Sequence, residues 1–195
     1  GALKITNGGK LRLPEKYSLG VIYGNPYGKA TAPAQITIEG ENSELVTPRI
    51  YGLHGRKLNF LLDNGTVTFT GVTNSNSNDP NSYFTTYGGG NIRDGKPQGC
   101  TFSMANGGTF SMSGGQIIFE NTDNAQWFTD APSIFDLNNC AGSVTGGEII
   151  FRPTVKDGSV FLGNVALNDV KIQGNITTNA TDGRIKFWGV HDGTS

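Results

Sequence analysis

The chain has 195 residues, of which 35% are hydrophobic and 16% charged, and its formal net charge is −1. A disordered chain of such low hydrophobicity would carry high net charge and few aromatic residues, whereas 10% of these residues are aromatic, so the composition indicates a folded, polar protein. The near-neutral charge without a basic cluster excludes a nucleic-acid partner, and membrane insertion is not expected because no apolar run approaches the roughly 20 residues that span a bilayer.

Strand signals recur along the whole chain as short runs of β-branched and aromatic residues, bounded by Gly, Pro, Asn or Ser. Helical periodicity is nearly absent, and the sequence predicts at most one short helical turn, near 123–128. The predicted strands are 3–5, 10–13, 19–23, 35–39, 49–51, 57–62, 66–70, 100–104, 109–112, 116–120, 134–137, 148–152, 160–162, 166–167, 170–173 and 184–188.

A Gly-rich turn followed at once by a strand is a phrase that the chain repeats. Asn and Gly accept a positive φ at little cost, and Val, Ile, Thr and Phe suit a pleated, half-buried surface, so each copy predicts a corner and then a strand. The copies begin at Asn7-Gly8-Gly9, Asn64-Gly65, Asn106-Gly107-Gly108, Ser113-Gly114-Gly115 and Thr145-Gly146-Gly147.

The spacing of these phrases predicts an all-β solenoid. The last two copies, at Ser113 and Thr145, are 32 residues apart, whereas the run Thr101-Phe102-Ser103-Met104 has a near copy only 8 residues later. Coils of roughly 20 to 30 residues with inserted loops account for both distances, the short one as neighbouring strands and the long one as a coil with an insertion. We expect one domain over 1–195, or a fragment of a longer surface protein, with inserted loops at about 73–97 and 121–132; a β-sandwich is the alternative.

The stretch from Gly107 to Phe119, followed by the stretch from Ala141 to Phe151, resembles the right-handed parallel β-helix repeats, of pectin-lyase-like fold, in exported bacterial surface proteins. In particular it looks like the adhesin-like proteins that Bacteroidetes secrete. The resemblance implies a β-helix at the cell surface or in the secreted fraction. It carries no catalytic residues.

The acidic residues do not predict an active site. Most of the aspartates adjoin Gly or Asn, which is typical of turn formers. Asp130 and Asp136, with Arg152 one coil on, are the best catalytic candidates, but no Lys or Arg is paired with two acids at strand-to-strand spacing. His54 and His191 lie far from Cys100 and Cys140, so neither a zinc site nor any other metal or cofactor is predicted. We expect no enzymatic activity.

Exposed aromatic rings are the usual platform for sugars, and Trp127, Tyr83 and Tyr87 lie in polar, loop-like segments. These three residues are the predicted ligand-binding residues; the alternative is that their rings fold back over the core. Thr66, Thr68 and Thr70 alternate as in ice-binding solenoids, but one such row without matching rows above and below is insufficient.

Cys100 and Cys140 are the only cysteines. They allow two interpretations: a disulfide that closes a loop of about 40 residues, which would contribute about 3 to 4 kcal/mol, or two buried thiols that act as small hydrophobic groups.

The sequence therefore predicts a non-enzymatic structural and adhesive module of a secreted or cell-surface protein, with glycans or surface polysaccharide as its partners. Two alternatives stay open. One is a carbohydrate-active β-helix, such as a polysaccharide lyase or a phage tail spike, and the other is a subunit of an extracellular filament that associates through the solenoid ends.

Overall fold

The computed structural model describes residues 1–13, 19–20, 33–47, 49–51, 57–70, 92–93, 96–97, 101–104, 108–120, 133–137, 140–152, 158–161, 165–174, 176–178 and 186–188. In this part of the chain every regular element is a strand, so the prediction of an all-β protein is confirmed. None of the described residues belongs to a helix that could cross a membrane.

Three sheets contain nearly all the strands. The first holds β1 (Ala2–Thr6), β4 (Ala34–Glu39), β7 (Leu58–Asp63), β12 (Gly108–Met112), β15 (Cys140–Val144) and β18 (Ala166–Leu167). The second holds β2 (Lys10–Arg12), β5 (Glu44–Thr47), β8 (Thr66–Phe69), β13 (Gln116–Phe119), β16 (Glu148–Phe151), β19 (Lys171–Gln173) and β21 (Lys186–Trp188). The third holds β3 (Leu19–Gly20), β6 (Arg49–Tyr51), β11 (Thr101–Ser103), β14 (Ser133–Asp136), β17 (Gly158–Phe161) and β20 (Ile176–Thr178).

Within these three sheets, the strands from β1 to β20 follow one another in the order first, second, third, and we call each such set of three a round. The last strand, β21, follows β20 but lies in the second sheet. All pairs within the three sheets are parallel. Gln116 pairs with Glu148, so the recurrence predicted from the Gly-Gly phrases at Ser113 and Thr145 is confirmed as a strand pairing between β13 and β16. The two strands of the shorter recurrence, β11 and β12, follow one another in the chain but belong to the third and first sheets.

One core is shared by the three sheets. Because side chains alternate across a strand, Leu58, Phe60 and Leu62 of β7 are buried while the residues between them are not. The ring of Phe60 lies 5.0 Å from that of Phe102 in the third sheet, and Phe102 lies 5.6 Å from Phe69 in the second. Each such pair contributes about 0.5–1.5 kcal/mol beyond the apolar area that it buries.

In-register pairing also stacks identical side chains from one round to the next. Phe69, Phe119 and Phe151 occupy the same inward position of β8, β13 and β16, with ring centroids 5.0 Å and 4.5 Å apart. The core is therefore continuous along the stacking direction.

The corners between the first and second sheets require a left-handed backbone. Their residues include Asn7 (φ 56°), Asn64 (φ 56°), Gly115 (φ 85°), Gly147 (φ 106°) and Asp169 (φ 53°). Asn, Asp and Gly are the residues that adopt this conformation most readily. The corner-then-strand prediction is confirmed at four of its five copies, the exception being the phrase at Asn106, of which only Gly108, at the start of β12, is described.

Hydrogen bonds join each of these corners to the next. The amide of Gln116 donates to the carbonyl oxygen of Gly65 (3.0 Å), that of Glu148 to Gly115 (3.0 Å) and that of Lys171 to Gly147 (3.1 Å). The hydrogen bonds between neighbouring strands of the second sheet thus begin at the corner glycines.

Three strands of these sheets were not predicted: β5, β15 and β20. The sequence of β15, Cys-Ala-Gly-Ser-Val, has few residues with high β-propensity, yet all five residues pair with β12. A Cβ at Gly142 would meet the carbonyl oxygen of Phe110. The glycine therefore allows the backbone of β15 to lie close to that of β12, and this pairing, rather than β-propensity, makes the segment a strand.

The predicted insertions lie mostly outside the described residues. Within 73–97 the structure describes a short antiparallel pair, β9 (Ile92–Arg93) and β10 (Lys96–Pro97). The predicted insertion at 121–132 and the predicted helical turn at 123–128 lie wholly outside the described residues.

Candidate binding surface

Of the predicted site residues, only Cys140 is described; Trp127, Tyr83, Tyr87 and Cys100 lie outside the described part of the chain. Cys140 is buried, and its thiol donates to the carbonyl oxygen of Met104 at 3.3 Å. Burial raises the pKa of this thiol from its usual 9.0 to about 11, with a further contribution from Asp136. The disulfide stays a prediction.

The structure does not bring the two described catalytic candidates onto one sheet. Asp136 ends β14 in the third sheet, whereas Arg152 follows β16 in the second, where its amide donates to Phe119. Asp130 lies outside the described residues. The part of the chain that is described contains no group of three or more His, Cys, Asp or Glu that could hold a metal ion.

The row of alternating threonines is not repeated on the neighbouring strands. Thr66 lies between Glu44 and Gln116 in register, and Thr68 lies between Val46 and Ile118. Thr70 is buried. A Thr array on the second sheet is therefore absent among the described strands.

The outer face of the second sheet is also partly covered. Val46, Ile118 and Ile150 occupy outward positions of β5, β13 and β16, yet their exposed fractions are 3%, 8% and 9%. They do not belong to the buried core cluster. This part of the surface is therefore not available to a ligand.

The outer face of the first sheet is open and carries short, mostly uncharged side chains. Two rows run across its strands in register, and we call them the polar face. One row is Gln35, Asn59, Thr109 and Ala141, and the other is Thr37, Leu61, Ser111 and Ser143. Each of these residues is half-buried or exposed, and Leu61 is the only large hydrophobic residue classed as exposed among the described residues, at 39%.

Hydrogen bonds between neighbouring strands order this face. The hydroxyl of Thr109 donates to Oδ1 of Asn59 at 3.0 Å, and its amide donates to the same oxygen at 3.3 Å. Both bonds go to the oxygen, so the amide NH₂ group of Asn59 is turned away from Thr109.

Carboxylates border the polar face where β4 and β7 end. Glu39 and Asp63 are the last residues of these strands, Glu41 lies in the corner after β4, and we call the three residues the acidic rim. Glu39 pairs with Lys4 at 3.3 Å, with both side chains largely exposed. Asp63 accepts hydrogen bonds from Ser113 (2.7 Å) and from the side chain of Asn64 (2.9 Å).

An open pocket of about 410 Å³ lies at this border. Its side-chain lining comes from Lys4, Thr6, Asn7, Glu39 and Glu41, with two glycines completing it. The volume is within the range of small-molecule sites, about 300–1,000 Å³. The lining offers carboxylate, ammonium, amide and hydroxyl groups, which hydrogen-bond to hydroxyl-rich molecules.

Ser43 holds the two corners that line this pocket. It is fully buried, its hydroxyl accepts from the amide of Gly8 at 3.1 Å, and it donates to the carbonyl oxygen of Glu39 at 2.7 Å. The sequence patterns identified neither Ser43 nor the polar face. The available signal was the set of Asn, Thr and Ser residues at alternate positions of the predicted strands.

Comparisons of the chain with protein-family models, curated proteins and solved structures give no match.

Proposed function

We propose that the chain forms a right-handed parallel β-helix that serves as a rigid, non-enzymatic adhesive module of a secreted or cell-surface protein, with glycans as its partners. The order of the strands supports the fold, since all strands except β9, β10 and β21 visit the three parallel sheets in turn and pair with their counterparts in the neighbouring round. Parallel crossover connections are right-handed in nearly all proteins. The repeated phrases, which resemble those of bacterial surface β-helices, support the location.

The observation that carries the scaffold function is the in-register stacking of buried aromatic rings between rounds, exemplified by Phe119 on Phe151 at 4.5 Å. Stacked rounds bury one continuous core, while side chains on the outer face are free to differ. Rigidity reduces the entropy that is lost when an extended surface binds its partner.

A non-enzymatic role is supported by the placement of the described carboxylates. Polysaccharide cleavage requires ionisable groups of different protonation state held within a few ångströms of each other. Asp136 and Arg152 lie in different sheets, and Asp63 is engaged by Ser113 and Asn64.

Charged side chains disfavour a filament that forms by strand pairing at β1 and β2. In the described part of the chain, each of these two strands has one paired neighbour. They carry Lys4, Lys10 and Arg12, and charged side chains on edge strands oppose edge-to-edge pairing. Light scattering after size exclusion, over a range of concentrations, tests this point.

A glycan array with the full chain tests the proposed function, together with assays for new reducing ends and unsaturated products on pectin, alginate, glycosaminoglycans and bacterial capsules. Binding without turnover is the expected result. Turnover that is lost in Asp136→Asn or Arg152→Ala would establish the carbohydrate-active alternative, and an array without any bound glycan would overturn the adhesive function.

A further inference from the structure

We infer that the polar face and the pocket at its border bind an uncharged polysaccharide. The inference rests on the proposed glycan-binding function, and it adds the site and the class of glycan. Charge, side-chain chemistry and spacing each contribute to it.

The charges around the pocket select against an acidic polymer. The acidic rim supplies Glu39, Glu41 and Asp63, whereas the pocket lining includes one cation, Lys4, which pairs with Glu39. At physiological ionic strength charges interact over about 8 Å, so the carboxylates in the lining act on any ligand that enters the pocket. A polymer with a carboxylate on each sugar would therefore be repelled, whereas an uncharged one would not.

The side chains of the polar face suit a ligand rich in hydroxyl groups. Asn59, Thr109, Ser111 and Ser143 present amide and hydroxyl groups, which donate and accept hydrogen bonds. Protein interfaces have apolar cores enriched in aromatic residues, but the only large exposed hydrophobic residue in the described part of this face is Leu61. A single aliphatic side chain between Thr37 and Ser111 suits the CH face of one sugar ring.

The spacing of the rows favours a polymer over a free sugar. Neighbouring strands lie about 4.8 Å apart, which is close to the length of one sugar residue in an extended chain. Successive sugars can therefore contact equivalent positions on β4, β7, β12 and β15. A few hydrogen bonds to one sugar give weak affinity, whereas repeated contacts along a chain add to one another.

Ser111 offers the sharpest test, because its outward side chain lies in register between Leu61 and Ser143. The Ser111→Arg variant places a long side chain across the polar face. Its matched control is Thr66→Arg, at a half-buried outward position of the second sheet, beside Glu44. Circular dichroism and thermal unfolding establish that both variants are folded.

The experiment measures affinity electrophoresis of the full chain and both variants in β-1,3-glucan, galactomannan, xylan, polygalacturonate and alginate. We expect retention by at least one of the three uncharged polymers, at low and high salt alike, and none by the two acidic ones. Ser111→Arg should weaken that retention about tenfold or more, and Thr66→Arg should change it less than about twofold.

Three results would overturn the inference: no retention by any uncharged polymer, preference for an acidic polymer, or equal retention of Ser111→Arg and the parent chain. In each case, binding of the chain to another glycan on the array would still support the adhesive function. If the folded parent chain binds neither the gels nor the array, both proposals fail together. Should Ser111→Arg not fold, Leu61→Asp on the same face takes its place, with the same expectations.

Discussion

The rings of Phe119 and Phe151 lie 4.5 Å apart and within 6° of parallel, although they belong to different rounds of the chain. They occupy paired positions of β13 and β16, so a core contact and a strand pairing fix the same register. A slip of β16 by one residue would move Phe151 to the opposite face of the sheet, away from Phe119.

Truncation of one of these rings should be costly. Phe119→Ala removes a fully buried side chain that also stacks on Phe69 at 5.0 Å, so we expect a loss of about 3–5 kcal/mol in the free energy of unfolding. Urea denaturation measures it. Leu61→Ala, on the polar face, is the control and should cost less than about 1 kcal/mol; similar costs for the two variants would contradict the shared core.

Replacement of Gly142 tests the close approach of β15 to β12. Gly142 has φ 126°, and a Cβ there would meet the carbonyl oxygen of Phe110. Gly142→Ala should therefore cost about 2 kcal/mol or more, since both backbone strain and a steric clash result. Gly146→Ala is the control, because the nearest atom to its Cβ would be the Ser113 oxygen at 3.3 Å, and its φ is not in the left-handed region. Gly142→Ala should unfold at a clearly lower temperature than Gly146→Ala.

Ser43→Ala should destabilise the corners beside the pocket. The substitution removes the acceptor of the Gly8 amide and the donor to Glu39 at a fully buried site, which costs about 1–3 kcal/mol. The measurement is denaturant unfolding, with Ser111→Ala on the polar face as the comparison. A Ser43→Ala protein as stable as Ser111→Ala would show that other groups satisfy these two polar atoms.

The Cys140 thiol should react slowly in the folded protein. Burial raises its pKa to about 11, so at pH 8 the reactive thiolate is about a hundredfold scarcer than for a thiol of pKa 9.0. In a Cys100→Ser background, alkylation of Cys140 at pH 8 should be at least that much slower than in urea. Equal rates would place the thiol in solvent.

The raised pKa of Cys140 also predicts how the free energy of unfolding depends on pH. Because the folded-state pKa is higher than the unfolded one, the contribution of the protonated thiol to stability is present below about pH 9 and is lost as the pH rises toward 11. The difference in unfolding free energy between the Cys100→Ser protein and its Cys140→Ala derivative should change over that interval. A constant difference from pH 8 to 11 would contradict the shift.

Glu148 should contribute to stability only while it is ionised. Hydrogen bonds from Lys171 and Gln116 hold its pKa below the usual value, so its contribution is present above pH 4.5 and lost as the pH falls through the lowered pKa. For a partly exposed pair we expect Glu148→Gln to cost about 0.5 kcal/mol at pH 7. The gap between variant and parent in urea unfolding should close at low pH and shrink in 1 M salt; a gap that persists under both conditions would assign the effect to packing.

Local sequence patterns predicted most strands and four of the corners, because hydrophobic alternation and Asn-Gly turns are short-range signals. They could not predict β15, since Cys140–Val144 becomes a strand through its pairing with Gly108–Met112. The polar face was missed for a related reason: Asn59 and Thr109 are far apart in the chain, and only the pairing of β7 with β12 brings their side chains together. The predicted aromatic site lies outside the described residues and stays a prediction.

Chain length between paired strands differs widely, while the register does not. Glu44 pairs with Thr66 and Thr66 pairs with Gln116, although the second separation along the chain is more than twice the first. Selection can therefore lengthen or shorten a connection without disturbing the ladder on either side of it. The same property would let an engineer graft a foreign peptide between β8 and β11 and display it at a fixed height along the stack.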